Sequence, residues 1–318
     1  MARRADDLRI VVVGSIIFDL VMKAERLPRE GESLLATNLK FFPGGKGANQ
    51  AVAVARQGIQ TTLIGAVGQD MMGDFLVGAL ESSGVKTSQV KRDASRTTGC
   101  ALVTLYPNGN NSILVDPGAN NTLRPADVES VRDLVEAADA LMAVLEIPLE
   151  TVQAALALAH RAGKLTVLDA GPPRHCPPEV LKLADIVSPN ETELEALSGD
   201  KISGRVSARE AAEKLLELGA KAVVLKLGSD GAMLVTGKGT RNARHFPAHK
   251  VRAIDPTAAG DAFTAVLTTK LVLGSSLEES IRYANAAGAL TVTRLGAQPS
   301  LPTRDEVEEL AAAGRKTP

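Results

Sequence analysis

The chain has 318 residues, 45% of them hydrophobic, with 36 Lys and Arg against 37 Asp and Glu and a formal net charge of -1. That is enough apolar material for one large α/β body or two smaller ones. It leaves no basic footprint for nucleic acid, and at 3% aromatic residues there is little to stack on bases.

The opening segment Met1 to Asp7 is basic, then acidic, and runs straight into a strand, so it does not read as a secretory signal. Arg9 to Ile16 is a continuous apolar strand of the kind buried on both faces of a parallel sheet. The Ala-rich stretch Lys46 to Gln57 predicts a helix, Thr61 to Ala66 a strand, and Met72 to Ser83 a helix ending at Gly84. Further strands are predicted at Ala140 to Leu145, Leu165 to Leu168, Ile186 to Val187 and Ala222 to Lys226. Helices are predicted at Pro148 to Ala162, Glu191 to Ser198, Ala208 to Leu218, Asp261 to Leu273 and Leu277 to Thr293, with a short, fraying one from Glu306. This alternation implies an α/β fold: a doubly wound, mostly parallel sheet with helices on both faces.

Two stretches break the alternation. Ser33 to Phe41 and Gly99 to Val115 read as strands with no helix between, the second folded at the hairpin signal Pro107-Asn108-Gly109-Asn110. They suggest a small antiparallel sheet, from about 20–42 and 98–117, that is either a lid or a simple extension, within a single domain spanning 1–318. No apolar run approaches the roughly 18 residues of a membrane span. Cys100 and Cys176 show no pairing pattern and read as free thiols in a reducing, cytoplasmic setting. The four His residues show no metal-ligand spacing.

The chemistry concentrates in Asp255-Pro256-Thr257-Ala258-Ala259-Gly260-Asp261-Ala262-Phe263. Small residues let a substrate approach the backbone, and the first N–H groups of a helix are unpaired and partly positive. Such a turn suits a phosphate or a developing anion, with Asp261 beside it as a base; the alternative is a capped helix start. Pro43-Gly44-Gly45-Lys46-Gly47-Ala48-Asn49-Gln50 is a glycine-rich loop feeding a helix, but its spacing is not that of a P-loop. It is either a plain turn or a loop offering Lys46 and Asn49 as donors. Asp19 and Glu146 each follow an apolar strand; an acid there is costly unless used, and a carboxylate can accept two hydroxyl bonds from a polyol. Asn190-Glu191-Thr192-Glu193 opens a helix and forms a capping-box pattern. Leu227-Gly228-Ser229-Asp230-Gly231 joins one strand to another through small residues that suit a flat base or ribose. Five such features on one sheet edge outline a cleft for a hydroxylated substrate and a phosphorylated one.

On GGKGANQA (Gly44 to Ala51), DPTAAGDAF (Asp255 to Phe263), SPNETE (Ser188 to Glu193), LGSDG (Leu227 to Gly231) and TRLGAQPS (Thr293 to Ser300), the chain resembles the phosphofructokinase-B type, or ribokinase-like, carbohydrate and nucleoside kinases from Arg9 to Glu306. The resemblance implies ATP-dependent phosphorylation of a sugar's primary hydroxyl, with D-ribose to D-ribose 5-phosphate as the leading expectation. It implies Asp261 as base and the amides of Ala258, Ala259, Gly260 and Asp261 as the anion hole. Asp19, Gly45, Lys46, Gly47, Ala48, Asn49 and Glu146 match sugar-binding positions. Asn190, Lys226, Leu227, Gly228, Ser229, Asp230, Gly231, Gly260 and Asn285 match positions lining ATP. Glu193 matches a residue linked to Mg²⁺ through waters. Asp255, Thr257, Thr291, Arg294, Gly296 and Ser300 match a monovalent-cation loop, usually for K⁺ and mostly through carbonyl oxygens. Lid edges in such kinases often pair between subunits, which implies a homodimer.

Two positions depart from the family. Ile17 stands where Asn commonly helps hold the sugar, so another pentose, a ketose or a nucleoside stays open as acceptor. Leu168-Asp169-Ala170-Gly171 replaces a common Asn-Pro, leaving Asp169 either a supporting acid or a turn residue. A sugar-binding regulator without catalysis is the third reading; the intact Asp261, anion turn and Asn190–Glu193 segment argue against it.

Overall fold

A computed structural model of the chain describes residues 7–107 and 111–314. In chain order its strands are β1 (Arg9–Val13), β2 (Ile17–Lys23), β3 (Thr37–Gly44), β4 (Gln60–Gly68), β5 (Val85–Lys86), β6 (Val90–Asp93), β7 (Gly99–Leu105), β8 (Asn111–Asp116), β9 (Ala140–Val144), β10 (Leu165–Asp169), β11 (Ile186–Ser188), β12 (Val223–Lys226), β13 (Ala232–Val235) and β14 (Ala243–Phe246). Its helices are α1 (Lys46–Arg56), α2 (Met71–Ser82), α3 (Pro125–Glu129), α4 (Arg132–Glu136), α5 (Leu149–Arg161), α6 (Pro178–Leu181), α7 (Glu191–Ser198), α8 (Arg205–Glu217), α9 (Ala259–Val272), α10 (Leu277–Thr291) and α11 (Arg304–Gly314).

Ten strands form the main sheet in the order β14-β13-β12-β11-β10-β9-β1-β4-β5, with β6 also pairing β4. The centre is parallel, with Val12 between Leu63 and Met142, and β13 and β14 extend it antiparallel. Alternate side chains of each strand feed two cores, as a pleat with period two requires. Val11, Leu141, Leu168 and Val223 pack with Val152 and Leu156 of α5 and Leu215 of α8. Ile10, Val12, Met142 and Val224 pack with Val52 of α1, Val266 of α9, Ile281 of α10 and Val307 of α11. The middle of α9, from Asp261 to Lys270, is buried all round, which is why its sequence shows no polar face.

The second sheet has the order β3-β2-β7-β8. Its outer pairs are antiparallel, as the sequence suggests, while the central pair β2–β7 runs parallel. The hairpin residues 108–110 lie outside the described residues.

The predicted strand Arg9 to Ile16 divides at Gly14, and β2 begins at Ile17. A β-carbon on Gly14 would lie 2.8 Å from the Gly47 Cα, so the chain must turn where β1 meets the glycine loop. The lid strand predicted from Ser33 starts at Thr37, and α8 starts three residues before the predicted Ala208. The short α3 and α4 had no sequence signal. Among the described residues no helix is long and apolar enough to cross a membrane.

Candidate active site

The carboxyl ends of β1, β9, β10, β11 and β12 meet the first turns of α1, α7 and α9. Ala258, which caps α9, holds φ 62 and ψ 5, a left-handed conformation that costs a non-glycine residue roughly 1–2 kcal/mol. Ala259 N donates to Pro256 O at 3.2 Å and Ala262 N to Ala258 O at 2.9 Å. Between them, the N–H groups of Gly260 and Asp261 find no acceptor among the described residues. These are the unpaired donors that the start of a helix leaves behind.

Asp261 is only 4% exposed. Asn49 Nδ2 donates to its Oδ2 at 2.9 Å, and Gln50 Nε2 reaches Oδ1 at 3.4 Å. Lys46 Nζ stands 3.9 Å from Asp261 Oδ1 and 3.8 Å from Glu193 Oε1. Burial pushes the Asp261 carboxyl above the usual range; Asp169 and Glu146 add to the rise, while Lys46 and the Asn49 bond oppose it. Burial also works against the Lys46 ammonium, but Asp261, Asp169, Glu193 and Glu146 together hold its pKa above the ordinary lysine value.

The glycine loop is fixed by close backbone approach. Gly45 has φ 91, where a side chain is disfavoured, and a β-carbon there would lie 2.7 Å from Ile17 N. A β-carbon on Gly47 would lie 2.6 Å from Gly14 Cα. Ala48 N donates to Ser15 O at 2.9 Å, and Lys46 N to Glu146 Oε2 at 3.0 Å. Ser15 Oγ donates to the same Glu146 oxygen. Asp19, on β2, lies against Gly44. Burial first, then Glu146 and Asp261, push its carboxyl up to about 7. Asp19, Glu146 and Asp261 therefore sense one another across the space above the loop.

Asn190 and Glu193 form the predicted capping box: Glu193 N donates to Asn190 Oδ1 at 2.8 Å, and Asn190 N to Glu193 Oε2 at 2.7 Å. Lys226 N donates to Pro189 O at 2.8 Å, which sets the 226–231 turn beside Asn190. Gly228, Ser229 and Asp230 form one helical turn, and Leu227 N closes it on Gly231 O at 2.8 Å. Asp230 is tied outward to Arg205 at 2.7 Å. A β-carbon on Gly231 would collide with the backbone at Phe246 to Ala248, and Asn285 Nδ2 donates to Phe246 O at 3.0 Å and Pro247 O at 3.2 Å. Asn285 and the 226–231 turn thus meet through the end of β14.

Asp255 joins three of the six predicted cation-loop positions. Its carboxylate accepts from Thr257 N at 2.9 Å, Thr257 Oγ1 at 2.6 Å and Gly296 N at 2.8 Å. Ile254 N and Asp255 N both donate to Val292 O, at 2.7 and 3.1 Å, just past Thr291. The Arg294 side chain pairs with Glu306, and the Thr291 hydroxyl bonds Ala287 O at 2.8 Å. Ser300 sits in its own turn, its hydroxyl bonded to Ala297 O at 2.7 Å.

Asp169 is a supporting acid. It is wholly buried, with Lys226 Nζ at 2.8 Å and Thr264 Oγ1 at 2.7 Å on Oδ2. Burial opposes its charge, but Lys226 and Lys46 outweigh that and hold its pKa below the usual range. Thr264, Ser15 and Gln50 were given no role from the sequence. The one signal for them is a small or amide side chain adjoining an apolar strand end or a glycine loop.

A family model described as pfkB family carbohydrate kinase matches residues 7–304. The ribokinase of Staphylococcus aureus (strain COL) is 38% identical over 95% of this chain and 99% of its own length. The deoxyribokinase of Salmonella typhimurium is 33% identical over 94% of this chain and 97% of its own. A solved structure of Arabidopsis thaliana ribokinase complexed with ribose and ATP superposes with a TM-score of 0.87 at 35% identity, covering 96% of this chain and 98% of that one. With both glycine motifs and every strand of the fold inside that match, the chain belongs to the pfkB family of carbohydrate kinases.

Proposed function

We propose that this carbohydrate kinase transfers the terminal phosphoryl group of ATP to the primary hydroxyl of D-ribose, giving D-ribose 5-phosphate and ADP. The observation that carries this reading is a buried Asp261 beside two unpaired helix N–H groups, facing the Asn49 loop. The Staphylococcus relative named ribokinase and the Arabidopsis structure with ribose and ATP supply the acceptor and donor.

Asp261 takes the proton of the primary hydroxyl; the freed oxygen forms the new O–P bond. The bond between the terminal phosphorus and the bridging oxygen breaks, and ADP leaves with the electron pair. The transition state is loose, with charge on the equatorial oxygens. The free N–H groups of Gly260 and Asp261 suit that charge, the Ala259 N–H being spent on Pro256 O, and a comparable donor is worth roughly 10²–10³ in rate. Asp19, Glu146 and the Gly45–Asn49 loop bind the sugar hydroxyls and align the nucleophile. Asn190, the 226–231 turn, Gly260 and Asn285 line the nucleotide.

Among the described residues no three His, Cys, Asp or Glu side chains form a metal cage, and one Glu193 oxygen is committed to Asn190. Glu193 therefore suits Mg²⁺ held by phosphates and waters, which neutralises phosphate charge. The oxygen-rich clasp at Asp255, Thr257 and Gly296 suits a monovalent cation such as K⁺, with the carbonyls of the neighbouring Thr291, Arg294 and Ser300 as further donors. The exposed apolar side chains of the small sheet, Leu114 among them, suit a homodimer. The free thiols Cys100 and Cys176 suit the cytoplasm.

Ile17 favours a second reading. It shares a face of β2 with Asp19 and offers no hydrogen bond, which suits an acceptor lacking one hydroxyl, such as 2-deoxyribose. A coupled assay of ADP release over a panel of pentoses, ketoses and nucleosides, with and without K⁺, tests both. Ribose turnover exceeding the rest and rising with K⁺ is expected. Preference for deoxyribose selects the second reading, and no ADP release with any acceptor removes both.

A further inference from the structure

We infer that Lys226 supplies the side-chain cation that meets the transferring phosphoryl group, and that Asp169 is the positioning residue that aims it. The inference rests on the reading of the α9 turn as the phosphoryl site. Lys226 ends β12 and is 9% exposed. Its Nζ donates to Asp169 Oδ2 at 2.8 Å and lies 3.9 Å from Glu193 Oε2. A β-carbon on Gly260 would sit 3.6 Å from that Nζ and 3.7 Å from Lys226 Cδ. The lysine therefore runs along the bare face of the residue whose N–H is unpaired.

An ammonium carries three donors, and here one of them meets a carboxylate at bonding distance. The remaining capacity faces Gly260 and the gap before Glu193. Asp169 does more than neutralise the lysine. It accepts from Thr264 Oγ1 at 2.7 Å, one turn beyond Gly260 on α9, and from Gly171 N at 3.2 Å. The same hydroxyl lies 3.1 Å from Gly260 O, with its one hydrogen committed to the carboxylate. One buried carboxylate thus fixes both the lysine and the helix turn that the lysine overlies.

Charge supplies the reason for a second cation. Asp19, Glu146, Asp169, Glu193 and Asp261 gather at this rim with Lys46 and Lys226. Lys46 stands between Asp261 and Glu193, toward the glycine loop. Lys226 is the buried cation at the start of the 226–231 turn, where Arg205 is already spent on Asp230.

The test compares Lys226→Met, Lys226→Arg, Asp169→Asn and the double variant Asp169→Asn with Lys226→Met. The readouts are kcat, acceptor KM, and affinity for ADP alone or with aluminium fluoride and acceptor, a mimic of the phosphoryl in flight. Lys226→Met is expected to lower kcat about 100-fold and weaken the aluminium fluoride complex comparably, with acceptor KM and ADP affinity within about threefold. Lys226→Arg is expected to recover part of both. Asp169→Asn is expected to lower kcat about tenfold alone and to add nothing once Lys226 is Met, because it acts through that lysine. Either single variant that fails to fold leaves the double one, which carries no unpaired buried charge and is checked by thermal melting. A double variant with kcat within about threefold of the parent overturns the proposal, as does one that loses the product of the two single effects. Asp261→Asn separates the layers. If it retains turnover, the α9 reading falls; if it loses turnover while the Lys226 variants keep theirs, only the present inference falls.

Discussion

The rim of the main sheet and the face of the small sheet beside it are built from opposite materials. At the rim, Asp169, Glu193 and Asp261 are 0, 2 and 4% exposed, although burying a charge is costly. On the small sheet and the loop leading into it, Leu35, Leu114 and Val115 are 94, 69 and 57% exposed, although apolar surface gains by leaving water. Each region holds what an ordinary core or surface would discard. The rim keeps buried acids, opposed by lysines and set beside unpaired helix N–H groups, as a fixed electrostatic environment. The small sheet keeps apolar side chains uncovered.

Four changes break or sharpen that contrast. The largest is Asp261→Asn, expected to lower kcat by about 10²–10⁴ with acceptor KM nearly unchanged, as steady-state kinetics would show. Next, Leu141→Ala in the main sheet is expected to cost about 2–5 kcal/mol in urea unfolding, while Leu114→Ala stays within about 0.5 kcal/mol. Equal losses at the two sites would erase the distinction between the sheets. Third is Asp19→Asn. The folded protein holds this proton up to about pH 7, whereas the unfolded chain releases it near about 3.9. Stability from protonated Asp19 is present below the unfolded value and disappears as pH rises through 7. The amide is therefore expected to raise stability by on the order of 1–3 kcal/mol at pH 8 and by little at pH 4, measured by melting at both. The smallest is Asn190→Ala, which removes one arm of a capping box and is expected to cost about 1 kcal/mol.

The main sheet was legible because two-sided burial writes continuous apolar runs, as at Arg9 to Val13 and Ala140 to Val144. The small sheet was half legible. β2 was hidden because it follows β1 after three residues with no turn signal beyond Gly14, and its pairing with β7 lies far along the chain. Asp261, Glu146, Asn49 and Glu193 stood out as polar residues at strand ends or in a glycine loop, and the fold gathers them. The Lys226–Asp169 pair could not be read, because 57 residues separate them and several other acids were equally available to the lysine. Asn285 was expected to line a nucleotide. That its amide also fastens the end of β14 depends on a packing of α10 that no local pattern announces.

The contact of Gly14 with Gly47 limits how this pocket can change over evolutionary time. Main chain rests on main chain there, with the Val144 side chain closing the same gap. Mutation of either glycine cannot widen that wall, and any bulkier residue pushes the loop out of place. Change in acceptor preference is therefore channelled to positions that carry replaceable side chains, such as Ile17 on the β2 face that also bears Asp19.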